Sequence, residues 1–228
     1  GLEVKNYISA RGNAVDRSVS FSPDSASIAF AWRRYSQDEG ATSVYVAPVA
    51  TAAARRRVLT RAANPVWGAP GIAASRQGRV RSEVTLEGKR FSIIDIVPTQ
   101  IWTVQPDGTG ARQVTSFRWR AQGFSAGLIP AAWSPAGTHI AGTVGEISCE
   151  AAQAGVATIS VSTGRVRLPM RKTSMSPVAY SADGQRILIT DGCRGRQANI
   201  RVVNVNGSAQ QTLVANAGLV SVSAGWNG

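Results

Sequence analysis

Ser125 lies in the run Gly-Phe-Ser-Ala-Gly at residues 123–127, with glycines placed as around a nucleophilic serine. That chemistry needs a strand before the serine, a helix after it, an imidazole base and an acid to orient the base. The following residues, LIPAAWSP, open a strand with a proline instead of a helix. The single histidine is His139, and no Asp or Glu stands between it and Ser125, so the order serine, acid, histidine is impossible. Ser125 is therefore expected in a glycine loop. His139 follows the Ala136-Gly137 turn, where other repeats carry Ser27 and Arg186, and is expected at the surface. One histidine and two separated cysteines are too few for zinc. No Asp-x-Asp-x-Asp series offers calcium a loop, and no phosphate loop or dinucleotide fingerprint occurs. No catalytic residue, metal ligand or cofactor is assigned. Asn206-Gly207-Ser208 matches a glycosylation sequon, but a hairpin corner already accounts for it.

The clearest chemical signal is charge. The 228 residues carry a net charge of +12, with 22 Arg against 3 Lys. A basic surface favours acidic partners such as nucleic acid, anionic lipid or polyanionic glycan. No apolar run approaches the roughly 18 to 20 residues that span a bilayer. The opening GLEVKNYISA has no basic segment followed by an apolar one, so it does not read as a signal peptide. That suits a mature, cleaved chain and a cytosolic chain equally.

The elements that must carry these side chains repeat. FSPDSASIAF begins at Phe21, WSPAGTHIAG at Trp133 and YSADGQRILI at Tyr180, with a weaker copy, WGAPGIAAS, at Trp67. Trp226, in the closing GWNG, is placed to open a further copy. Successive aromatics are 46, 66, 47 and 46 residues apart, a period of 46 with one insertion. Each repeat reads as four short strands, with Asp-Gly or Asn-Gly at several corners, where positive φ costs little. Four strands recurring at this period predict an all-β fold, a β-propeller of four recognisable blades with partial strands at either end. The blades are expected at 17–63, 64–128, 129–174 and 175–217, with a leading strand in 1–16 and a trailing one in 218–228. The insertion after Arg76 looks like an extra hairpin around Glu87-Gly88. The aromatic before each Ser is expected to pack between blades as a core residue.

Phe21-Ser-Pro-Asp, Trp133-Ser-Pro-Ala-Gly and Tyr180-Ser-Ala-Asp-Gly resemble the W-S-P-D-G repeat of TolB-like β-propellers. IWTVQPDGTGARQVT and IRVVNVNGSAQQTLV resemble the second half of that repeat. The resemblance runs from about Arg17 to Gly228, with departures at Trp67-Gly-Ala-Pro and at Ala136. It implies a scaffold that binds another envelope protein, in the periplasm or secreted. Such propellers usually carry about six blades. The chain is thus expected to close a partial blade from its two ends, to form part of a larger propeller, or to self-associate through open sheet edges.

Cys149 lies 16 residues past Trp133 and Cys193 lies 13 past Tyr180, so both fall in corresponding loops of adjacent blades. They are either a disulfide or two unrelated thiols. A disulfide would imply an oxidising compartment, in agreement with the resemblance. The loops between second and third strands share one face with the blade-to-blade connections. The candidate binding residues of that face are Arg33, Arg34, Arg61, Arg79, Arg81, Arg118, Trp119, Arg120, Lys172, Arg194 and Arg196. The face carries an excess of arginine, and is either a solvated basic surface or a site. Trp119, between two arginines, is either an interface anchor or a residue buried at a blade junction. Two further readings stay open: binding of acidic cell-wall glycan through the arginines, and a propeller lyase or the sensor domain of a larger hydrolase. Nucleic acid is disfavoured by the oxidising compartment.

Overall fold

Among the described residues, sixteen strands form four antiparallel sheets, each of four strands that neighbour one another in sequence order. The first sheet holds β1 (Asn13–Phe21), β2 (Ser27–Arg34), β3 (Ser43–Pro48) and β4 (Arg56–Thr60). The second holds β5 (Ala62–Gly68), β6 (Gly71–Leu86), β7 (Lys89–Val104) and β8 (Arg112–Gln113). β9 (Gly127–Trp133), β10 (His139–Gly145), β11 (Gly155–Ser160) and β12 (Val166–Met170) make the third. β13 (Met175–Tyr180), β14 (Arg186–Asp191), β15 (Asn199–Asn204) and β16 (Gln211–Val214) make the fourth. This computed structural model describes residues 13–34, 42–51, 54–86, 89–116, 127–145, 155–170, 175–191 and 199–215. The fold is an all-β propeller of four blades.

Turn chemistry starts each blade. The buried Ser22 hydroxyl donates to Asp24 Oδ1 at 2.5 Å and accepts from Ser27 N at 2.9 Å. Ser181 repeats the arrangement with Asp183 and Arg186 N. Ser134 accepts from His139 N at 3.0 Å, and Ala136 leaves that turn without the carboxylate. The side chain thus satisfies backbone donors that a tight corner would leave unpaired. In the second blade the corner is shorter. Gly68 pairs with Gly71, whose φ of 129° requires a glycine.

Each sheet alternates side chains between its two neighbours. Ile72, Ala74 and Val104 pack with Ala29, Val44, Val46 and Leu59 of the first blade. On the other face, Ala73 and Ile101 pack with Leu128, Ile140 and Ile159 of the third. Ile187, Ile189 and Val203 meet Ala141, Val156 and Met170. Each fully buried isoleucine here contributes about 1.5–3 kcal/mol. The inter-blade aromatics follow the same rule. Trp133 donates its Nε1–H to Val66 O at 3.0 Å, across the junction with the second blade. Gly68 lets that indole lie flat, because a Cβ there would come within 2.6 Å of its ring.

Phe21 departs from the core role expected for it, being 54% exposed. It shares a face with Val19, Ile28, Phe30 and Tyr45, the positions that in the second blade are filled by residues packed on the first. No described blade lies against that face. The extra hairpin is likewise no separate unit: β6 and β7 run on as one ladder from Ile72↔Val104 to Leu86↔Lys89, with a bulge between Arg76 and Gly78. Alternation simply continues beyond the blade. Residues 1–12 and 216–228 lie outside the described residues, and with them the expected trailing strand and all of the expected leading segment but 13–16, which belong to β1.

Candidate binding face

The ends of the sheets opposite the Ser-Asp corners carry the longer loops. Arg33 and Arg34 close β2, in register with Ala14 and Asn13. Arg61 forms the link from the first to the second blade, exposed and with φ of 52°. A non-glycine residue in that conformation marks a link held tightly by its neighbours. Arg76 pairs with Ala62, directly after that link, and its guanidinium lies 4.2 Å from the centre of the Trp102 ring. Burial, with Arg61 nearby, holds the Arg76 guanidinium below its ordinary pKa. Arg76 thus sits over an aromatic ring with a second cation, Arg61, nearby, an arrangement that an anionic group relieves.

Arg79 and Arg81 lie on the projecting part of β6, opposite Ile96 and Ile94 of β7. The structure therefore brings Arg61 and Arg76 together and sets Arg79 and Arg81 on the ladder beyond them. Arg118, Trp119, Arg120, Lys172, Arg194 and Arg196 lie outside the described residues, as do Ser125, Cys149 and Cys193. No cluster of His, Cys, Asp and Glu able to hold a metal occurs among the described residues. No described helix is long and apolar enough to cross a membrane.

The opposite, turn side carries features that sequence reading passed over. Arg56 donates to Pro106 O at 2.8 Å, from the first blade to the second. Arg112 reaches from the second blade to Val161 O of the third at 3.4 Å through both terminal nitrogens. Between the third and fourth blades lies a groove of about 950 Å³. His139 lines it, exposed as expected, with Nδ1 3.0 Å from Thr138 Oγ1. Aligning the four repeats strand by strand would have shown arginines recurring at one position of the fourth strand.

No family model and no curated protein matches the sequence. Solved structures do resemble the fold. A putative TolB from Agrobacterium tumefaciens superposes with a TM-score of 0.56 at 17% identity, over 86% of this chain and 61% of that one. TolB from Acinetobacter baumannii gives 0.54 at 14% identity, over 89% and 44%. An oligogalacturonate lyase in complex with manganese gives 0.57 at 11% identity, over 91% and 55%. The chain thus spans 61%, 44% and 55% of the length of these three proteins. At these identities the likeness establishes the fold, a β-propeller, and nothing finer.

Proposed function

We propose that this chain is a non-catalytic binding scaffold that recognises another protein outside the cytoplasm through its loop face. The observation that carries the reading is the junction of the first two blades. There Arg61 and Arg76 converge, with Arg76 stacked on Trp102, and the β6–β7 hairpin projects from the same end. A rigid sheet presenting arginine, tryptophan and an extended hairpin has the ingredients of an interface centre. The likeness to TolB structures supports the reading by analogy of fold alone. We further propose membership of the W-S-P-D-G repeat family, blades at 17–63, 64–128, 129–174 and 175–217, and a Cys149–Cys193 disulfide in an oxidising, extracytoplasmic compartment. Self-association is a second mode, favoured by the exposed Phe21 and Val19 on one end face and by Leu213 and Val214 on β16.

The test is capture from envelope extract by the whole chain, at low salt and at about 0.5 M salt, where exposed charges are strongly screened. A variant whose hairpin is cut back to Gly78 and Val97 serves as comparison. A discrete protein retained at both salts and lost on trimming the hairpin supports the scaffold. Acidic glycan captured only at low salt by both forms sinks it and leaves a polyanion binder. Turnover of a uronate polymer would instead make the chain a lyase.

A further inference from the structure

The blades are joined on the turn side by a repeated strap. Pairing places Arg56 opposite Val46, Arg112 opposite Thr103 and Arg167 opposite Thr158, the same position of the fourth strand in three successive blades. The carbonyls taken by the first two, Pro106 O and Val161 O, correspond to Val205 O in the fourth blade. Arg167 makes no such bond. It is exposed, and among the described residues it has neither hydrogen bond nor ion pair. The third junction is therefore the one left unstrapped, and it is where the groove opens.

A second observation concerns the aromatic of that junction. Trp133 fills the preceding junction and places its N–H on a carbonyl. Tyr180 stands in its place here, 7% exposed, and its hydroxyl is buried without a hydrogen-bond partner. A buried hydroxyl left unpaired is destabilising. Tyr180 lines the groove together with Arg165, Arg167 and His139. Burial pushes the hydroxyl well above the ordinary tyrosine pKa, so it stays a donor. Asp183 is the acidic lining residue, and its carboxylate is already held by the Ser181 hydroxyl and by Gln185 N at 2.9 Å. The groove thus offers two cations unengaged among the described residues, with an unpaired hydroxyl buried in its wall, against one committed acid.

We propose that this groove is a second binding site, for an extended acidic peptide lying along the outer edge of the third blade. β12 is the end strand of its sheet, so one side of it has no described partner strand. An extended peptide adds to such an edge through its backbone. Arg165 and Arg167 are two residues apart, about 7 Å in an extended chain, the spacing of alternate side chains on such a peptide. Leu168, Pro169, Pro135 and Val205 supply apolar walls for the intervening residues. A glycan fits less well, because no Trp or Phe lines the groove and its tyrosine, Tyr180, is packed into the core and offers no open face to a sugar. The site lies on the opposite side from the loop face and does not depend on the loop-face reading.

The probe is a short fluorescein-labelled peptide alternating glutamate with leucine, titrated by anisotropy against the whole chain. Its glutamine counterpart and a galacturonate trimer run beside it. The glutamate peptide is expected to bind about tenfold or more tighter than the glutamine peptide, as charge-assisted hydrogen bonds imply. Arg167→Gln should weaken it about tenfold at an unchanged melting temperature. Tyr180→Phe should raise the melting temperature of the free protein while weakening the peptide severalfold, a pairing that a purely structural hydroxyl does not produce. Equal affinity for both peptides, no binding at about 1 mM, or indifference to Arg167→Gln overturns the proposal. Binding of the trimer without the peptide overturns it too, and makes the groove a glycan site.

Discussion

At the scale of single residues, the Ser-Asp corner does most to set the blade. Ser181 is 1% exposed, and its hydroxyl donates to Asp183 while accepting from Arg186 N. Ser181→Ala leaves a buried donor unpaired and should cost about 1–3 kcal/mol in urea unfolding. The acids of these corners carry a pH signature. Hydrogen bonds from the Ser22 and Ser181 hydroxyls, and from Thr109 at the corner after β7, hold Asp24, Asp183 and Asp107 below the usual carboxylate range. Their folded pKa lies below the unfolded value of about 3.9, so their stabilisation is complete above it and fades as pH falls through the folded value. The urea midpoint should therefore stay level from these groups above about pH 5 and drop below about pH 4. Asp183→Asn should flatten that acid limb; an unchanged slope would mean the corner does not hold the carboxylate. The corner was legible in the sequence because its ends, Ser22 and Ser27 or Ser181 and Arg186, are only five positions apart, but the hydroxyl bond inside it was not read there.

At the scale of elements, the corners between third and fourth strands decide how closely blades approach. Gly164, at φ of 69°, faces Val114 O of the preceding blade, and Gly207, at 89°, faces Pro169 O. A Cβ at either would overlap that carbonyl. Gly184, at 70°, meets only Pro135 Cδ at 3.5 Å. Gly184→Ala should thus cost about 1–2 kcal/mol from backbone conformation alone. Gly164→Ala should cost clearly more, since two blades must part; equal melting temperatures for the two would count against this packing. Neither contact was legible, for each glycine reads locally as an ordinary turn. The arginine straps were hidden for the same reason. Arg56 and Arg112 find their carbonyls 50 and 49 residues away, a distance that only blade stacking closes. The length of β6 and β7 was half visible: their alternation was plain, but nothing in it marked Gly78 and Val97 as a continuation of the ladder.

At the scale of the whole molecule, four blades stack as a fan, each meeting only its neighbours among the described elements. The same aromatic position therefore has unequal weight along the chain. Trp133→Ser removes a packed, hydrogen-bonded ring and should cost about 3–5 kcal/mol. Phe21→Ser, on the open end face, should cost less than about 1 kcal/mol. Similar losses for both would mean that the first blade is covered after all. The repeat period made the fan legible, while the lack of a described blade against one face could not be read from Phe21, which has the residue type of a core position. Nearest-neighbour stacking also sets a clock. Among the described elements the second and third blades are each clamped from both sides, the first and fourth from one, so deuterium should enter the backbone amides of β2 and β14 through partial openings that spare β6 and β10. The molecule would then lose its outer blades before it loses its middle, and its amide exchange would report the position of each blade in the row.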